Sequence, residues 1–134
     1  MRLHLFVTLA GALFATTAFA QAEPDVMRDG AWTATVTSAD GRRQVARLEL
    51  RQFTGTWHGP VAKVAGAKGG CTARRFPVTV QQSNASGLAF TVFGDQVSPA
   101  CANLTVETTP VREAPDRRFE GTVDPGGRIT LVRR

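Results

Sequence analysis

The sequence predicts an all-β protein, in which eight short strands form an antiparallel up-and-down meander that closes as a small barrel held by one disulfide. A two-sheet β-sandwich is the alternative arrangement of the same strands. Three observations carry this reading. From residue 30 onward, threonine, valine and arginine alternate with apolar residues at the period of two that a half-buried strand needs. Glycine, proline and asparagine cut these runs at short intervals, so the connections are too short for helical crossovers. No stretch is long and periodic enough for a solid helix, and short strands joined by short links form meanders that close on themselves.

The first run, residues 31–38, places Trp32, Ala34 and Val36 on one face and Thr33, Thr35 and Thr37 on the other. Ala39-Asp40-Gly41 supplies a turn in which glycine can take positive φ. From Arg43 the second run sets Ala46, Leu48 and Leu50 against Arg47, Glu49 and Arg51, which predicts one buried and one wet face. Phe53-Thr54-Gly55-Thr56-Trp57 is the third run. A small-residue loop with three glycines follows over 62–70, read as mobile, and Cys71 ends it. The fourth strand carries Phe76, Val78 and Val80, with Pro77 marking a bulge or an edge.

The turn at residues 83–87 leads to a fifth strand with Leu88, Phe90 and Val92, and residues 94–100 form the next loop. Cys101 is expected to open the sixth strand, with Leu104 and Val106. After a polar loop over 110–116, Phe119, Gly121 and Val123 mark the seventh. Asp124-Pro125-Gly126-Gly127 is the strongest turn signal in the chain, and residues 128–133 return as the eighth strand with Ile129 and Leu131.

Upstream of the barrel, Arg2 opens an apolar run that closes on Ala18-Phe19-Ala20. A basic start, an apolar middle and small residues at −3 and −1 predict a secretory signal over 1–20. The competing reading, a membrane anchor, has a stretch of marginal length with no basic flank beyond it. The expected product is periplasmic or secreted and has no stable membrane anchor after cleavage. Residues 21–29 read as a flexible lead-in, and 30–134 as a single β domain.

An exported chain meets an oxidising environment, so the only two cysteines, Cys71 and Cys101, are expected to pair. A loop of this length stabilises a fold by about 3 to 4 kcal/mol when strain is small. The meander itself supports the pairing, because alternate strands start at the same end and the cysteines stand at the starts of strands four and six. A metal site lacks a ligand set, with His58 the single histidine beyond residue 20.

Residues 21–134 hold 15 basic and 11 acidic groups, a net charge of +4, with arginines often in pairs such as Arg42-Arg43 and Arg74-Arg75. Such pairs gathered in space would bind anions, while a solvated arginine-biased surface, common in chains rich in Ala, Gly and Arg, is the simpler account. Export and the lack of a recognised motif argue against nucleic acid. The chain is also poor in catalytic groups: it has no tyrosine, and Asp40, Asp95, Asp116 and Asp124 fall in turns where aspartate bonds the backbone. No catalytic residue and no cofactor are therefore expected. Asn84-Ala85-Ser86 and Asn103-Leu104-Thr105 fit the N-glycosylation pattern but read as a turn and a strand start.

Gly30-Ala31-Trp32, the Asp40-Gly41 turn and Phe53-Thr54-Gly55-Thr56-Trp57 together resemble the opening of avidin-like proteins, over about residues 30–59. The resemblance implies a secreted eight-stranded barrel that holds a small ligand in one end, with Trp57 where that family commonly has a ligand-contacting tyrosine. The tryptophan-rich second half of biotin binders has no counterpart, since both tryptophans precede residue 60.

The leading expectation is a non-enzymatic exported protein that binds a small molecule at the open end of its barrel, with Trp32, Thr54, Thr56, Trp57 and His58 as candidate contacts. The alternative is a periplasmic protein-interaction module, such as a hydrolase inhibitor or immunity-type protein, whose partner is another envelope protein. The barrel interior discriminates between them. If Leu48, Phe76, Phe90 and Phe119 fill it, the small-ligand reading loses ground and the surface becomes the working part.

Overall fold

The computed structural model describes residues 11–13, 23–72 and 74–134. All but three residues of the expected signal segment therefore lie outside the described residues. Eight antiparallel strands close a barrel in chain order: β1 (Gly30–Ser38), β2 (Arg43–Arg51), β3 (Thr54–His58), β4 (Arg75–Asn84), β5 (Gly87–Val92), β6 (Leu104–Pro110), β7 (Arg118–Asp124) and β8 (Gly127–Arg133). Seven seams join chain neighbours, and the eighth pairs β8 with β1, from Trp32 opposite Arg133 to Ser38 opposite Gly127. Closure leaves no sheet edge, which rules out an open sandwich.

Period-two alternation sets the inward face. Ala46, Leu48 and Leu50 point in from β2 while Arg47, Glu49 and Arg51 stay exposed. Leu48, Phe76, Phe90 and Phe119 are fully buried, as are Trp32 and Val106. An eight-stranded barrel has an interior just wide enough for side chains to fill, and here they fill it. Each such aromatic or aliphatic side chain contributes on the order of 1.5–3 kcal/mol by leaving water. Gly121 in β7 keeps the seam with β6 tight, because a Cβ there would collide with the Glu107 carbonyl oxygen.

Two local expectations are corrected. Pro77 marks neither an edge nor the bulge: the register shift lies further along β4, between Val80 and Gln82. Pro77 sits just beyond the last β4–β5 pair, Val78 opposite Val92, where a missing N–H breaks no ladder bond. Cys101 does not open β6, which begins three residues later. It stands in the preceding loop, which includes a short 3₁₀ turn (Gly94–Gln96), and forms an isolated bridge with Lys63.

Up-and-down connectivity sends the β1–β2, β3–β4, β5–β6 and β7–β8 connections to one end of the barrel. The remaining connections lie at the other end with residues 23–29. Of the lead-in expected over 21–29, residues 21 and 22 lie outside the described residues, and 23–29 lie against this end of the barrel as a seal. Asp25 bridges Asn84, Val26 exchanges bonds with Ser83, and the Asp29 carboxylate accepts the Gln52 backbone N–H at 2.7 Å. Arg28, only 6% exposed, donates to the Asn84 carbonyl at 3.1 Å and lies 4.8 Å from the centroid of the Phe119 ring. On the neighbouring seam Arg133 lies 4.7 Å from the Trp32 ring, and Trp32 meets Phe119 edge to face at 5.6 Å. Trp32 Nε1 donates to the Arg28 carbonyl at 2.9 Å, so the buried indole keeps a partner.

Candidate functional site: the disulfide-clamped end

The sequence-derived candidates do not converge. Trp32 belongs to the sealed end, and Trp57 is buried in the interior with its Nε1 donating to the Pro60 carbonyl at 3.3 Å and its ring 6.4 Å from Phe90. Thr54, Thr56 and His58 project from β3 in the opposite direction, onto the outer wall. Thr54 and Thr56 border a groove of about 590 Å³ beside Glu49, Arg51 and Gly55. His58 stands in a cross-strand row between Arg47 and Arg75, over a depression of about 90 Å³. The two tryptophans are thus separated by the barrel wall from the threonines and the histidine.

The end opposite the seal is built differently. Cys71 and Cys101 are bonded, with their Cα atoms 5.7 Å apart, and tie the β3–β4 connection to the β5–β6 connection. Backbone bonds reinforce the tie. Val64 N–H donates to the Ala100 carbonyl at 2.9 Å, Ala102 N–H to the Ala62 carbonyl at 2.8 Å, and Val61 N–H to the Cys71 carbonyl at 2.9 Å. The glycine-containing loop expected to be mobile is therefore anchored on both sides of its glycines. Such a disulfide is compatible with an oxidising, exported compartment.

Between these clamped loops, the β1–β2 hairpin and the β7–β8 turn lies a cleft of about 520 Å³. Its floor is apolar, made by Val61, Leu104 and Val123, with half-buried Val36 beside them. Its rim is polar: Asp40, Arg42, Gln44 and Lys63. The Arg42 guanidinium is paired with Asp40 at 3.4 Å, an exposed and therefore weak pair. Lys63 makes no salt bridge among the described residues. Val64 and Val97, one on each clamped loop, are exposed.

Charge is distributed unevenly. The strand ends and connections at the clamped end carry seven cations, including the Arg42-Arg43 and Arg74-Arg75 pairs, against three carboxylates, Asp40, Asp95 and Asp124. That is a net +4, equal to the whole excess of residues 21–134, so the remainder of this span is neutral. Sequence reasoning registered the arginine pairs but missed that Lys63, Lys68 and Arg128 join them. The meander's connectivity held that signal, since it assigns every odd-numbered connection to one end.

No family model and no curated protein matches the chain. Among solved structures it is similar to a redesigned β-barrel, at 19% identity and a TM-score of 0.41, over 79% of this chain and 90% of that one.

Proposed function

We propose that this chain is an exported, non-enzymatic binding protein that engages another envelope protein through its disulfide-clamped end. The observation that carries the reading is the filled barrel: Leu48, Phe76, Phe90 and Phe119 occupy the space an enclosed ligand would need, which leaves binding to the surface. The clamped loops favour that role, because a covalently fixed surface loses little conformational freedom on association. The absence of catalysis remains part of the proposal and rests on the sequence's poverty in nucleophiles and bases. A second reading keeps a small molecule, but at the clamped end rather than inside, since the cleft there falls within the size range of small-ligand sites.

The test is site-specific photo-crosslinking in the native envelope, with the crosslinker placed at Val64 or Val97 and, as controls, at Met27 and Val132. One discrete adduct from the first pair alone is the expected result. Adducts confined to the control positions would refute the assignment. Native mass spectrometry of untagged protein completes it: a co-purifying mass of a few hundred daltons would favour the second reading.

A further inference from the structure

We infer that the clamped-end cleft receives one aliphatic or aromatic side chain from a partner loop or chain end, and that this residue is flanked on the partner by carboxylates. The inference deepens the protein-partner reading above and rests on it. Three features combine. The floor of Val61, Leu104 and Val123 lies nearly out of solvent at the base of a concavity, so it can be covered only by a group that protrudes. The cleft opens on the end that carries a net +4, and on its own rim Arg42 is paired with Asp40 while Lys63 stands without a carboxylate partner among the described residues. The walls are held by the Cys71–Cys101 bond and the Lys63–Cys101 bridge, so the cleft exists before the partner arrives.

Shape decides between classes of anion. An anionic bilayer is flat and would meet the charges of this end while leaving the floor uncovered. A duplex nucleic acid would likewise engage the charges through its phosphates while its bases stay stacked away from the floor. An acidic segment with one apolar anchor satisfies both surfaces. The anchor supplies buried contact, and the carboxylates supply steering and specificity. The exposed Val64 and Val97 extend the apolar contact beyond the cleft on the clamped loops.

The full oxidised protein is used to select random peptides displayed on phage, and binding of the enriched peptides is followed by fluorescence anisotropy. Enrichment of Asp or Glu within two positions of a Leu, Ile, Val or Phe is expected. Lys63→Glu and Arg42→Glu should each weaken binding at least tenfold, and Arg112→Glu at the opposite end should leave it unchanged. Raising the salt from 50 to 500 mM should also weaken it, as exposed charges are screened. Failure to enrich peptides, enrichment without acidic residues, or indifference to Lys63→Glu would overturn the inference. So would binding to phosphatidylglycerol vesicles that Lys63→Glu abolishes while peptides stay unbound. Crosslinks at Val64 alongside any of these outcomes would retain the protein-partner reading and reject only the acidic anchor.

Discussion

The two ends of this barrel are closed by opposite means. At one end, residues 23–29 lie against the strands and Arg28, Trp32, Phe119 and Arg133 stack into one another. At the other, a covalent bond joins two loops and leaves an apolar-floored cleft between them. Packing consumes the first surface in closing it. A covalent tie closes the second while keeping a concavity between its loops and leaving Val64 and Val97 exposed on them, so this end keeps surface for another molecule. Stability and recognition are thereby assigned to opposite ends of one small domain, and substitutions at each end test that separation.

The largest effect belongs to the sealed end. Trp32→Ala should cost about 3–5 kcal/mol through lost burial and the cavity left behind, read as a fall in the urea midpoint, and should destabilise more than any single change to the clamped rim. Replacing both Cys71 and Cys101 by serine should cost about 3–4 kcal/mol by releasing a loop of some thirty residues. Unlike the tryptophan change, it should also abolish crosslinking at Val64 under conditions where the barrel's circular dichroism is retained. Arg28→Met removes a guanidinium held over Phe119 and bonded to the Asn84 carbonyl. We expect a loss of about 1–3 kcal/mol in chemical denaturation, with peptide binding at the far end unaltered. The Arg28–Asp116 contact at 3.5 Å adds little to this, because Asp116 is 89% exposed. Smallest is Gln52→Gly: Gln52 has φ of 58°, and relieving a side chain in that region should raise stability by at most about 1 kcal/mol, seen as a small increase in Tm.

Much of this architecture was legible. Trp32, Ala34 and Val36 share the inward face that alternation gave them, every strand appears in order, and the cysteines pair at the end the meander assigns. The candidate site was less legible, for a reason visible in β3. Thr54, Thr56 and His58 are two residues apart and so share a face, and Trp57 has the other parity. The same period-two rule that located the strand places Trp57 across the wall from them. The seal was hidden for a different reason. Residues 23–29 have no periodicity to read, and they are held by carbonyl bonds and a guanidinium over a ring, contacts that depend on partners more than fifty residues away.

The β1–β8 pairing has a consequence for how the chain assembles. Seven seams join neighbours in sequence and can zip locally, but this one unites strands nearly a hundred residues apart, and the Cys71–Cys101 bond, which links the β3–β4 and β5–β6 connections, leaves it unassisted. Loop-closure entropy therefore falls on a single step, and the strands flanking it are unpaired edges until that step is complete. The ring's one long-range seam is where folding should be slowest and where two nascent chains could most readily pair with each other.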